Sequence, residues 1–141
     1  MSRVMDIADA MATRLESQAA LAGVDVIVDR QKDLAETLKK SVAKAKGSAI
    51  TILWEGFDVP DVNTSGPQIR SRYTLRTWSR PVLADGNTPA DELVTAICKA
   101  LHHWIPEGLH SFGEMTITGG DFTPDTKWLI YEVEAQVMLK L

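Results

Sequence analysis

Ile69-Arg70-Ser71-Arg72-Tyr73-Thr74-Leu75-Arg76-Thr77-Trp78 alternates in chemistry with a period of two. Ile69, Tyr73 and Leu75 fall on one side, and Arg70, Arg72, Thr74, Arg76 and Trp78 on the other. That alternation is the pattern of a half-buried strand. Pro81 has no N–H to give to a ladder and ends the run, and Asp85-Gly86-Asn87 supplies a turn. A helix opens next, with Thr88 as N-cap, Pro89 at the first helical position, and Asp91 and Glu92 facing the positive end of the dipole. Leu93, Ile97 and Leu101 recur every four residues with Ala96 and Ala100 beside them, which gives the helix one apolar face. The unit predicts a helix packed on a sheet. It contains no catalytic constellation.

Outward from that unit the pattern is repeated. Residues 6–21 carry a helical stripe of Ile7, Met11 and Leu15, widened by Ala8, Ala12 and Ala19, with Gly23 as its stop. Residues 24–28 are a short β-branched strand. Leu34, Leu38 and Val42 mark a second helix, and Lys39, Lys40, Lys44 and Lys46 crowd its C-terminal half, where cations suit the dipole. Ile50–Trp54 is nearly all apolar and reads as a central strand. Trp104–Gly108 ends the third helix, Met115–Thr118 is a short strand, and Gly119-Gly120-Asp121 reads as a bend. From Lys127 to Leu141 the alternation returns. Leu129, Tyr131, Val133, Ala135, Val137 and Leu139 oppose Trp128, Ile130, Glu132, Glu134, Gln136 and Met138. The expected fold is α+β, a single domain over 1–141 in the order α-β-α-β-β-α-β-β. Its sheet is mostly antiparallel or mixed, with helices packed on one face.

Bulk properties narrow the function. A 141-residue chain is long enough to bury a real core, and 45% hydrophobic with 24% charged residues is the balance of a soluble globular protein. A net charge of −4 weighs against a dedicated nucleic-acid binder. One cysteine, Cys98, excludes an internal disulfide framework and fits a reducing compartment. The first residues have no apolar h-region, and no run approaches the roughly 18 apolar residues of a membrane span, so a protein of the cytoplasm is expected.

The search for chemistry returns little. Cys98 and His102 are one helical turn apart with His103 and His110 near, but no further cysteine or matched histidine pair completes a tetrahedral zinc site. Lys46-Gly47-Ser48 has the letters of a phosphate loop in the wrong order, and Gly119-Gly120-Asp121 precedes no helix that could hold an anion. Glu132 and Glu134 lie on one strand face, as paired carboxylates would, and also as the dressing of a solvated sheet does. No enzyme, cofactor or metal is expected.

Two features stand out as surfaces. Gly56–Pro67 is a long loop in which Phe57, Val59 and Val62 either dock on a partner or fold back over the core. Arg70, Arg72 and Arg76, with Trp78 on the same face and Arg80 just beyond, form a stripe without an acid between Gln68 and Val82. Three partners fit the stripe: Glu132 and Glu134 within the same subunit, an acidic face of another subunit, or nucleic acid.

The layout resembles the tail terminator (tail completion, minor tail) proteins of long-tailed bacteriophages and prophages. The opening Ala- and Leu-rich helix, Tyr73-Thr74-Leu75-Arg76-Thr77-Trp78-Ser79-Arg80, a helix ending Ala100-Leu101-His102-His103-Trp104, and a terminal β-hairpin carry the likeness. The resemblance implies a non-enzymatic virion protein made in the host cytoplasm and placed at the head-proximal end of the tail. There it would form a ring, commonly of six copies, that ends growth of the tail tube and offers the head a docking surface. Its partners would be its own copies, the tail-tube protein and the head-completion or connector protein, with genomic DNA only passing through and no membrane involved. Phe57, Val59, Val62, Arg70, Arg72, Arg76, Trp78, Arg80, Glu132 and Glu134 are the expected subunit or partner contacts. Rival readings are another head–tail joining or tail-tube component, and a small bacterial ligand-binding or enzyme domain, for which no convergent polar pocket is visible.

Overall fold

The computed structural model of the chain describes residues 3–28, 48–59, 68–79, 90–106, 113–124 and 129–140. Gln68–Ser79, the arginine-bearing strand, is β3 and lies at the centre of a five-stranded sheet. Around it stand β1 (Asp25–Val28), β2 (Ser48–Asp58), β4 (Thr116–Pro124) and β5 (Leu129–Lys140), in the spatial order β1-β2-β3-β5-β4. Only β1 and β2 run parallel; the other three pairings are antiparallel. Two helices are described, α1 (Arg3–Glu16) and α2 (Ala90–Leu101). The expected α+β class and mixed sheet are therefore observed. The second expected helix, with Leu34, Leu38, Val42 and its lysines, lies outside the described residues. So do Thr88 and Pro89, Val62, Arg80 and Trp128.

Register makes the core. Leu75 sits between Ile52 of β2 and Val133 of β5, and Tyr73 between Trp54 and Ala135. This face meets Ile7, Met11 and Leu15 of α1 and Leu93, Ile97 and Leu101 of α2, all fully buried. Each such side chain contributes about 1.5–3 kcal/mol on leaving water. Tyr73 ties the layers together, because its phenol donates to the Val4 carbonyl in the first turns of α1 at 2.6 Å. Arg14 ties the helices: its Nε donates to the Ala100 carbonyl, and its guanidinium lies over the Trp104 ring at 5.3 Å.

Several boundaries differ from the sequence reading, each for a local reason. The first helix stops at Glu16, not 21, because the Ser17 hydroxyl and the Gln18 amide both donate to the Arg14 carbonyl. Leu21 still reaches the core through a 3₁₀ turn, Ala19–Leu21. Helix α2 ends at Leu101, short of Trp104, where His103 takes a left-handed φ of 66° and donates its N–H to Met115.

The loop expected from Gly56 begins later. A bulge between Trp54 and Gly56, with Gly56 at φ 107°, lets β2 continue through Phe57 to Asp58. The bend expected at Gly119-Gly120-Asp121 is likewise strand, since a register shift between Ile117 and Gly119 keeps β4 paired. Gly120 serves close approach there, as a Cβ would collide with the Glu132 carbonyl oxygen.

Candidate functional site

Both described helices pack on one side of the sheet, so the other side presents the arginine stripe. Arg70, Arg72, Thr74, Arg76 and Trp78 of β3 stand in register with Met138, Gln136, Glu134, Glu132 and Ile130 of β5. Arg76 Nε donates to Glu132 Oε1 at 2.8 Å, directly across the strands. Arg70 Nη1 donates to Asp58 Oδ2 at 3.2 Å, and Arg72 Nε lies 3.9 Å from Asp58 Oδ1. Trp78 lays its indole across the sheet and donates to the Thr51 hydroxyl at 3.1 Å, which leaves Thr51 buried.

The stripe is thus answered within the subunit, by Glu132 as one reading of the sequence had it and by Asp58, which that reading had left in a loop. Glu134 makes no ion pair among the described residues. It lines a shallow depression of about 280 Å³ with Glu55, Arg72, Thr74, Thr118 and Gln136. Among the described residues of this face, Glu55, Asp58, Asp121, Glu132 and Glu134 outnumber Arg70, Arg72 and Arg76, a balance that repels a polyanion.

Of the groups that sequence reasoning singled out for metal or nucleophile chemistry, His102 and His103 are held in structural contacts, and His110 lies outside the described residues. Cys98 is half-buried and burial pushes its thiol up, away from a thiolate. His102 Nδ1 accepts the Ile117 N–H at 3.1 Å, and His103 Nδ1 is 2.9 Å from Glu114 Oε1. Among the described residues, no group of three or more His, Cys, Asp or Glu is placed to hold a metal ion. Burial pushes the Tyr73 phenol up to about 12, against a smaller opposing pull from Ser71. No described helix is long and apolar enough to cross a membrane.

Among the described residues, large apolar side chains are exposed at three places, Ile105 just past α2 and both ends of the sheet. Phe57 and Val59 are 53% and 52% exposed at the end of β2, with Phe57 stacked on Trp54 at 6.4 Å. At the opposite border, Phe122 is 47% exposed and contacts Tyr131 at 4.6 Å. It flanks an open apolar groove of about 490 Å³ between α2 and the β4–β5 pair, lined by Val94, Cys98, Ile117, Tyr131 and Val133. The sequence reading had singled out Phe57 and Val59, as residues that either dock on a partner or fold back over the core, and had not singled out Phe122. Phe122 adjoins the glycines that read as a bend, so nothing in its own neighbourhood marked it as strand.

A chain in the virion of a native gene transfer agent (GTA) particle has the same fold. The match covers 94% of this chain and 93% of that one at a TM-score of 0.62, with 15% identity. A second solved protein, carrying no functional description, matches over 100% of this chain and 97% of its own at a TM-score of 0.59 and 12% identity. No protein-family model matches the sequence, and no curated protein matches it.

Proposed function

We propose that the protein is a non-enzymatic structural component of a phage-type virion. More specifically, it is a tail terminator that closes the head-proximal end of a tail tube as a ring, commonly of six copies. The observation that carries this reading is the near end-to-end fold likeness to a chain of a gene transfer agent virion. It agrees with the resemblance of the sequences Tyr73–Arg80 and Ala100–Trp104 to the tail terminator family. A sheet with one face under helices and the other, among the described residues, uncovered and polar suits a part that meets neighbours over several surfaces. The partners in this reading are further copies of the chain, the tail-tube protein and the head's connector.

Deleting the gene in a bacterial host that carries it and viewing the particles by electron microscopy tests the reading. Tails of uncontrolled length without heads, restored to normal by the purified protein, are expected. Tails of normal length joined to heads would overturn it. Tails of normal length lacking heads would move the protein to the neighbouring role of a head–tail joining component.

A further inference from the structure

The sheet has two free borders among the described residues. Strand β4 pairs only with β5, so its outer side is open from Thr116 to Pro124. Strand β1 covers β2 only from Ala49 to Ile52, so β2 is open from Leu53 to Asp58. Unpaired strand edges attract further strands, and monomeric proteins block them with charge, proline or cover. Within Thr116–Thr123, β4 carries a single charge, Asp121. Both borders also carry an exposed aromatic residue on the helix side of the sheet, Phe57 on one and Phe122 on the other.

Each border also carries exposed charge: Arg72 stands at the β2 border beside Glu55 and Asp58, and Asp121 at the β4 border. Arg72 belongs to β3, one strand in, but Gly56 offers no side chain to stop it. The Arg72 Nη2 atom lies 3.7 Å from where a Cβ on Gly56 would stand, so the guanidinium reaches the open border of β2. Its one ion pair among the described residues is the 3.9 Å contact to Asp58. On the other border Asp121 stands opposite Glu132, whose charge is already taken by Arg76, and Asp121 has no ion-pair partner among the described residues. The Arg72 guanidinium therefore stands at one border and, among the described residues, a carboxylate without an ion-pair partner at the other, both on the side of the sheet away from the described helices.

We infer that the chain associates head to tail with further copies of itself, the free end of β2 in one copy adding to the β4 border of the next. The inference rests on the ring reading above and assigns its subunit contact. Within one sheet β2 and β4 run in opposite directions, so copies added in one orientation meet as an antiparallel pair. Phe57 then enters the apolar groove beside Phe122 and Tyr131, and Arg72 faces Asp121 across the new pairing. The open part of β2 lies level with Arg70–Thr74 of β3, whereas β4 lies level with Arg72–Ser79. Each copy is therefore offset along the next, and a closed ring absorbs such an offset by tilting its sheets, as a barrel tilts its strands. Two different patches on each subunit make the contact heterologous, the kind that generates rings.

Two measurements on the full chain decide this. In a Cys98→Ser background, Phe57→Cys chains are mixed with Phe122→Cys chains and oxidised. A disulfide between the two kinds of chain is expected, with none when either kind is alone. In parallel, light scattering across a concentration series compares wild type with Arg72→Asp, Asp121→Arg and the double variant carrying both. Each single change is expected to raise the concentration needed for assembly about tenfold or more, and the double variant to recover most of it, which a merely unfolded variant would not do.

Assembly that is indifferent to all three variants and gives no mixed disulfide overturns the edge assignment while leaving the ring reading standing. A two-fold dimer with Phe122→Cys chains cross-linked to one another overturns it too, in favour of β4 pairing with itself. A protein that stays monomeric at every concentration and gives no mixed disulfide also overturns it, and the gene-deletion experiment then decides the ring reading separately.

Discussion

Arg76 and Glu132 face each other across β3 and β5, with Nε 2.8 Å from Oε1, on the side of the sheet away from the described helices. The pair converts what looked in the sequence like a free basic stripe into a local ladder of opposite charges. Both side chains remain about one-third exposed, so water screens the attraction. Its coupling, read by a double-mutant cycle of Arg76→Ala and Glu132→Ala in urea denaturation, should be about 0.5–1 kcal/mol and smaller at 1 M salt. Coupling of several kcal/mol would mean that the pair is closed off from solvent.

Gly120 is the residue on which the last hairpin depends. Gly120→Ala sets a methyl against the Glu132 carbonyl oxygen, and β4 must shift to relieve it. The expected cost is about 1–3 kcal/mol, with loss of amide-exchange protection confined to β4 and the facing part of β5. Gly119→Ala, one residue away and with nothing within 4 Å of the new methyl, should cost far less.

Tyr73→Phe removes the hydrogen bond to the Val4 carbonyl and strands that acceptor, which should lower stability by about 1 kcal/mol at neutral pH. The same residue sets a pH dependence. Its phenol is raised by burial from 10.0 to about 12 in the folded chain. A neutral acid with a raised folded pKa contributes stability in full below pH 10 and loses it as the pH climbs through about 12. Between those values wild type should lose stability more steeply than Tyr73→Phe, as denaturation series at stepped alkaline pH would record.

Leu75 is fully buried on the central strand between Ile52 and Val133. Leu75→Ala should cost about 2–5 kcal/mol by thermal or urea unfolding. Arg14→Ala, which unties the Ala100 carbonyl and uncovers Trp104, should cost about 1–2 kcal/mol, with the change seen first in the fluorescence of that tryptophan.

Much of this architecture was legible in the chain because it rests on local periodicity. The alternations at Ile69–Trp78 and Leu129–Leu139 set which residues face the helices, and the four-residue recurrence of Leu93, Ile97 and Leu101 set the buried stripe of α2. What escaped was decided between strands. Gly56 and Gly119-Gly120-Asp121 carry the composition of turns, and only the neighbouring strand makes them bulged strand. Asp58 became the partner of Arg70 and Arg72 because the bulge at Gly56 carried it into register with them. Composition shows that a strand has two faces; it does not show which residue of another strand will stand opposite.

The place of β5 in the sheet has a consequence for how the molecule is made. The central strand β3 acquires its second neighbour only from residues 129–140, and β4 has no other neighbour at all among the described residues. On the ribosome, Gln68–Ser79 therefore emerges long before the segment that covers it, and the apolar side of the sheet cannot close until Leu129–Lys140 has left the exit tunnel. A nascent chain halted between Ser79 and Leu129 would display an open, strongly β-forming edge to every other copy being synthesised nearby. Emergence of Leu129–Lys140, more than any earlier step, is the event that lets this fold form.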